Sequence, residues 1–415
     1  GDTYLINETS YDAIPSAAKT SLEDYGTVIV TIARSSGEGS DISATRSDGE
    51  DGSYLSLSEE EISVLQGLTM LKNQGKIEKI VVLLNSSATV QLDFLSRNGI
   101  DVDACLWVGN VGSAGINAVA KVLTGKIVPS GKLSDTYAKD NFSSPAAMQL
   151  SYNSGKSFAQ TYSNYSEMGL NSTQMYYGIY SEGIYVGYRY YDKKEMPVLF
   201  PFGHGLSYTQ FEYSALSAEG TPSKGVTVRM KIRNVGERAG KEVVQLYVGN
   251  RTGKSGFAVR ELKGFEKVCL AAGEEKEVEF SLGFRAFAYY DEKIFDWKIA
   301  AGKYEIAAGS SSRDLRLTCF TEEAEKTEKI KVDLDTTLGE LYENPATRNF
   351  VEARIEGLMK KSAAGGSVMG IAAEKDTLLR LVSGVPLRGL ISIMKLTRGQ
   401  MEGVIAALNA ASGSK

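Results

Sequence analysis

Val28-Ile29-Val30-Thr31-Ile32-Ala33-Arg34-Ser35-Ser36-Gly37-Glu38-Gly39-Ser40-Asp41 is a β-branched apolar run that ends in a loop with one carboxylate between two glycines. The run is short and has no helical period, so it reads as a buried strand. Gly37 and Gly39 let the chain turn sharply and hold Glu38 clear of its own backbone. In an open α/β sheet, ligands bind at the carboxyl ends of the strands. A Glu presented there has the placement of a general acid. An ordinary surface turn containing an acid would read the same way, and the local sequence leaves both readings open.

Strands and helices alternate on either side of this loop. Ser58-Glu59-Glu60-Glu61 has the form of a capping box, with acids where the helix dipole favours them. Ile62, Leu65, Leu68 and Leu71 then recur at helical spacing. Lys79–Asn85 is a second buried strand, a short helix is predicted near 90–97, and Ala104-Cys105-Leu106-Trp107-Val108 is a third strand. Gly109-Asn110-Val111-Gly112-Ser113-Ala114-Gly115 then opens a helix that runs through Leu123. This alternation predicts a parallel sheet covered on both faces, in an α/β domain over 1–150. Residues 151–205 are rich in Tyr, Gly, Ser and Asn and read as a connecting segment ordered by its aromatics. Over 206–320 short alternating strands separated by turn signals predict a β-sandwich. The remainder, 321–415, is charged and helical, far short of the roughly 250 residues of an (α/β)₈ barrel.

Composition narrows the function classes. The chain has 415 residues, 42% hydrophobic and 9% aromatic, with a net charge of -5. It has no dense basic block, so nucleic acid is not an expected partner. Cys105, Cys269 and Cys319 show no CxxC spacing, and an odd count excludes a full disulfide framework while leaving one bridge open. No apolar run is long enough to span a bilayer, and no signal peptide is visible. The chain begins with Gly1 rather than Met, which leaves its natural start open, and its compartment is open too.

Several stretches carry more than composition. Val128-Pro129-Ser130-Gly131-Lys132-Leu133 is a turn. Glu182-Gly183-Ile184-Tyr185-Val186-Gly187-Tyr188-Arg189-Tyr190-Tyr191-Asp192 and Phe200-Pro201-Phe202-Gly203-His204-Gly205-Leu206-Ser207-Tyr208-Thr209-Gln210-Phe211 are aromatic, glycine-punctuated runs. Asn234-Val235-Gly236, Gly240–Tyr247 and Glu261-Leu262-Lys263-Gly264-Phe265 lie in the sandwich. With the Glu38 loop, these residues resemble the C-terminal half of glycoside hydrolase family 3, which includes β-glucosidases and β-xylosidases, over about residues 20 to 320. The fold this implies is α/β + β: a mainly parallel α/β sandwich domain, a fibronectin type III-like β-sandwich, and a helical C-terminal tail.

The resemblance implies a retaining double displacement, in which a barrel Asp is the nucleophile and Glu38 is the general acid/base. The physics agrees: a leaving glycosidic oxygen needs a carboxylic acid of raised pKa within hydrogen-bond reach, and a neighbouring carboxylate raises it. The implied substrate is a terminal β-D-glucoside or a related β-linked oligosaccharide. The implied partner is an (α/β)₈ barrel, in the full-length protein or in a separate chain. No metal or organic cofactor is implied. The departures are the barrel and its nucleophile motif, neither of which occurs here, the strand that usually precedes residue 20, and Ile42 where the family often has Arg. The chain alone is therefore expected to be inactive. The alternative is a non-catalytic carbohydrate-binding or assembly module with an inert Glu38.

Arg34 and Asp41 flank the loop and are candidates for substrate contact, with a structural role the competing reading for each. Glu50 is the rival acid. The glycines at 109, 112 and 115 do not have GxGxxG spacing, so a nucleotide-dependent α/β enzyme is disfavoured. Trp107 reads as core, with stacking on a sugar the competing reading; Trp297 reads as core and His204 as a packed histidine. Tyr176, Tyr177 and Tyr180 read as loop-fixing residues that could also stack on sugars.

Overall fold

The computed structural model describes residues 8–34, 54–144, 182–254, 256–292, 295–325, 330–363, 379, 381–393 and 396–412. The chain divides into two compact units, Gly1–Glu322 and Glu323–Lys415. In the first unit a 3₁₀ turn (Tyr11–Ala13) and a short helix α1 (Ser16–Ser21) precede a parallel three-stranded sheet, in the order β1 (Thr27–Ala33), β2 (Lys79–Asn85), β3 (Ala104–Trp107). Helix α2 (Glu59–Asn73) joins β1 to β2, and its predicted capping box is present. The Ser58 hydroxyl accepts from Glu61 N at 3.1 Å, and Glu61 Oε2 accepts from Ser58 N at 2.9 Å.

One face of this sheet carries the core. Ile32, Ile80, Val82 and Leu84 pack with Ile62, Leu65, Leu68 and Leu71 of α2 and with Val90, Leu92 and Phe94. Strand periodicity sends the alternate residues to the other face. There Thr27, Thr31 and Ala33 are exposed and Ile29 is 49% exposed, and α3 (Gly112–Leu123) buries only Val119. On that same face Leu83 of β2 is buried and Val81 half-buried, so among the described residues the central strand is covered on both sides, as the alternation predicts, while the edge strand β1 is open on one. The helix expected near 90–97 is reduced to a 3₁₀ turn, Asp93–Ser96, because Val90 and Leu92 reach the core from non-helical backbone.

The chain returns through β4 (Tyr137–Ala138), α4 (Tyr188–Lys193) and β5 (Val198–Phe200), with β4 and β5 antiparallel. The sandwich follows. One sheet is β6 (Phe211–Thr221), β7 (Gly225–Asn234) and β10 (Glu275–Leu282), with β7 central. The other has the order β14 (Leu315–Glu323), β13 (Gly302–Gly309), β8 (Gly240–Asn250), β9 (Glu261–Leu270). A small ribbon, β11 (Tyr289–Asp291) with β12 (Asp296–Lys298), lies between β10 and β13 in sequence. Val228, Met230, Ile232, Val244, Leu246, Leu270, Val278 and Ile306 fill the space between the sheets. Trp297 is not core; it is half-buried, with the Arg285 guanidinium over its ring at 3.4 Å. All three cysteines are free.

The second unit is helical: α5 (Leu338–Glu343), α6 (Pro345–Ala363), α7 (Leu387–Ile393) and α8 (Arg398–Ser412). It has its own core, including Leu338, Leu341, Val351, Ile355, Leu387, Leu390, Met401 and Leu408. Among the described residues, no helix is long and apolar enough to cross a membrane.

Candidate functional site

Glu38, Asp41 and Glu50 lie outside the described residues, as do Tyr176, Tyr177 and Tyr180. The two roots of the 35–53 segment, which holds Glu38, Asp41 and Glu50, are described. Arg34 N donates to Asn85 O at 3.2 Å, extending the β1–β2 ladder by one residue at its carboxyl end. The chain re-enters at Tyr54 and reaches the N-cap of α2 at Ser58. The Arg34 side chain joins these two roots. Its Nε donates to Tyr54 O at 2.6 Å, and Nη1 to Ala33 O at 2.7 Å. Nη2 donates to Ser56 O at 2.7 Å, and the Glu61 carboxylate receives Nη1 at 2.9 Å and Nη2 at 2.7 Å. A guanidinium has five N–H donors, and all five are used here.

The pair is closed to solvent, with side chains 4% and 9% exposed. Burial works against the Arg34 charge, but hydrogen bonds to Glu61 and the charges of Glu61 and Glu8 outweigh it, so the guanidinium is held above its ordinary value. Glu8 accepts from the Ser58 hydroxyl, which ties the start of the chain to the same cluster.

The carboxyl ends of the neighbouring strands lie beside this root. Ser86, fully buried just after β2, caps a turn through Ala88 and accepts the Trp107 indole N–H on its carbonyl at 2.8 Å. Trp107 is not core: it is 38% exposed at the last position of β3. Gly109 at φ +57 lies against the indole ring. The edge where α/β sheets bind ligands therefore carries the loop root at β1 and a half-open indole at β3.

The two long aromatic motifs do different work. Tyr188 stacks on Phe202 with centroids 4.7 Å apart and accepts Leu262 N on its hydroxyl at 2.8 Å. Arg189 pairs with Glu261 at 2.9 Å, and Asp192 with Arg313 at 2.8 Å. Gln245 Nε2 donates to Gly203 O, and Ser312 N to Phe202 O. These contacts fasten the α/β layer to the sandwich. His204 belongs to the same seam: its backbone bonds Leu133 and Pro201, its ring packs on Phe200, and burial lowers its pKa. Among the described residues no group of three or more His, Cys, Asp or Glu is arranged to hold a metal ion.

Residues 6–208 match the family described as "Glycosyl hydrolase family 3 C-terminal domain", and residues 242–312 match "Fibronectin type III-like domain". The "Thermostable beta-glucosidase B" of Acetivibrio thermocellus is 33% identical over 368 residues, 88% of this chain and 44% of that protein. An "Exo-alpha-(1->6)-L-arabinopyranosidase" of Bifidobacterium breve is 31% identical over 275 residues, 66% of this chain and 32% of that protein. Among solved structures, a β-glucosidase of Bifidobacterium adolescentis superposes with a TM-score of 0.64 at 28% identity, over 81% of this chain and 44% of that one. The β-glucosidase 3B of Thermotoga neapolitana in complex with glucose gives 0.62 at 32% identity, over 75% and 40%. The chain thus spans less than half the length of these relatives. Its parallel sheet, its antiparallel sandwich and both matched domains agree on one assignment, and the chain belongs to glycoside hydrolase family 3 through its C-terminal and fibronectin type III-like domains.

Proposed function

We propose that this chain carries the acid/base of a retaining β-glycosidase acting on terminal β-D-glucosides or related β-linked sugars. The family's C-terminal domain normally pairs with a barrel domain, and the nucleophile Asp is assigned to that barrel. Glu38 protonates the leaving glycosidic oxygen and then, as its carboxylate, activates the water that releases the glycosyl-enzyme. The two carboxyl groups of such a site stand about 5–5.5 Å apart, and the charge of the nucleophile raises the pKa of the acid. Asp41 is assigned to a substrate hydroxyl. The observation that carries this reading is the root of the Glu38 loop at the carboxyl end of β1, in a domain of this family. Sugar identity belongs to the barrel, and the relatives named above differ in the sugar their names specify.

The test is hydrolysis of aryl β-glucosides by the chain with and without a family 3 barrel domain. Turnover is expected only with the barrel. Glu38→Ala is expected to slow poor leaving groups by roughly 10²–10⁴-fold. Good leaving groups should suffer less and be rescued by azide. Equal losses on both, without rescue, would remove Glu38 from the acid/base role.

A further inference from the structure

Arg34 spends every donor it has on the two roots of one excursion of the chain. At the departing root it holds Ala33 O, and at the returning root Tyr54 O and Ser56 O. Its last two donors go to Glu61, whose carboxylate is itself held by Ser58 N at the start of α2. Only a planar fork of five donors can reach four acceptor groups at once; a lysine ammonium has three donors on one atom. A buried ion pair is a weak device for stability, because desolvation consumes most of its attraction, and its best-attested use is to fix a register. The register fixed here is between residue 34 and residues 54–61.

We propose that Arg34 is a positioning residue for Glu38. By setting where the chain leaves β1 and where it enters α2, it fixes the spacing of the roots from which Glu38 is presented. This rests on the acid/base reading of Glu38 given above. It also replaces direct sugar contact by Arg34, which has no donor left to offer a hydroxyl.

The experiment compares Arg34→Met, Arg34→Lys, Glu61→Gln and Glu38→Ala, each assayed with a family 3 barrel domain on aryl β-glucosides with good and poor leaving groups. A misplaced proton donor should cut kcat on the poor leaving group by about 10–100-fold, with KM nearly unchanged. Arg34→Met is expected to show this pattern, Glu61→Gln a milder form, and Arg34→Lys a partial recovery. Hydrogen exchange of the chain alone provides a readout free of catalysis: Arg34→Met and Glu61→Gln should raise exchange at Ser58, Glu61 and Ile62, at the start of α2, by at least about tenfold while β1–β3 stay protected. If Glu38→Ala shows no leaving-group dependence, the acid/base reading itself falls. If Glu38→Ala shows it but the Arg34 and Glu61 variants lower both substrates equally, or raise KM alone, the positioning role is overturned. Unchanged exchange at Ser58, Glu61 and Ile62 overturns it as well.

The second unit carries a separate signal. Thr337 and Pro386 form an antiparallel bridge, and the hydrogen bonds around it repeat at an offset of 49 residues (Leu338 to Leu387). Leu338 N donates to Val385 O and Leu387 N to Thr336 O. Gly339 N donates to Ser383 O and Arg388 N to Leu334 O, each at 2.9 Å. The local turns match too: Thr336 N bonds Asp333 O, and Val385 N bonds Val382 O. Each half then continues as a short helix with buried leucines, Leu338 and Leu341 in one and Leu387 and Leu390 in the other, followed by a long helix. An antiparallel bridge makes the first pair reciprocal by itself. The second pair, the turns and the helices are additional.

The geometry points to two copies of one helix–turn–helix unit, related by a local two-fold axis between Thr337 and Pro386 and folding as a single body. Hydrogen exchange on the full chain tests it. Leu341→Ala and Leu390→Ala, at equivalent positions, should each lower protection in both halves by at least about tenfold while β6–β10 keep theirs. Replacing residues 381–393 with the sequence of 332–344 should preserve protection of Leu338 and of its counterpart. Loss confined to the mutated half, or loss of protection in both halves of the graft, would overturn the inference.

Discussion

Lys132 and Glu242 lie 110 positions apart in the chain and meet at 3.4 Å where the α/β layer rests on the sandwich, with side chains 11% and 5% exposed. The same Glu242 oxygen accepts the Tyr213 hydroxyl at 2.9 Å, and Lys132 also donates to Gly205 O at 3.1 Å. Two motifs singled out in the sequence, Pro129-Ser130-Gly131-Lys132 and Gly240-Lys241-Glu242, are thus partners. Lys132→Met would leave a buried carboxylate without its cation and is expected to cost about 3–5 kcal/mol. Lys132→Met combined with Glu242→Leu should cost less than the two single changes summed. Urea midpoints of the four proteins check this, with an expected coupling above about 0.5 kcal/mol.

Gly203 is the second fastening point. Its φ is +81°, and a Cβ there would collide with the Gln245 carboxamide. That carboxamide is already committed: Nε2 donates to Gly203 O at 3.1 Å and Ser310 O at 2.5 Å, and Oε1 accepts from Tyr247 at 2.6 Å. Gly203→Ala therefore meets both backbone strain, about 1–3 kcal/mol, and a clash with a side chain that cannot turn away. A lowered thermal midpoint, with faster hydrogen exchange at Gln245 and Tyr247, is the expected result.

Much of this architecture was legible in the sequence because it depends on local patterns. The strands at 27–33 and 79–85 are apolar runs of the right length, and the Ser58–Glu61 capping box is a three-residue signature. The exposure of Trp107 is not legible there, because exposure at a strand's last residue depends on what lies above the sheet, which no pattern reports. The hydrogen-bond partners of Arg34 are hidden for a related reason. Its charged partner is 27 residues away and its other acceptors are backbone carbonyls, which any sequence supplies. The two-fold repeat in the tail is carried mainly by backbone hydrogen bonds and by the Leu338/Leu341 and Leu387/Leu390 pairs, too little identity to detect as a repeat.

Buried tyrosines are expected to set the alkaline limit. Burial pushes Tyr137 up to about 12, with the charge of Asp135 adding to it. Tyr213 is raised by burial and then by Glu242, and Tyr247 by burial, both from an ordinary value of 10.0. For such groups the native state keeps a proton that the unfolded state loses. Their contribution is complete below pH 10.0 and is lost as pH rises from there through the folded values. Ultraviolet titration should show these three phenols ionising only as the chain unfolds. Tyr213→Phe should flatten the decline of stability on the alkaline side, and an unchanged slope would count against this account.

Glu305, buried on β13 between Arg251 and Arg260, is one of the carboxylates through which acid is expected to act. Burial alone would raise its pKa, but hydrogen bonds from Arg260 and Arg251, and then their charges, overcome it and hold the carboxyl below its ordinary 4.5. Here the unfolded state takes up a proton first. The stabilisation is complete above pH 4.5 and disappears as pH falls through the lower, folded value. Glu305→Gln keeps the shape and removes the charge, leaving two arginines facing each other. It should lower stability near neutral pH and make the loss of stability below pH 4.5 shallower than in the parent chain. Urea midpoints across that acid range read both effects, and a variant that loses stability as steeply as the parent would place the titrating carboxylate elsewhere.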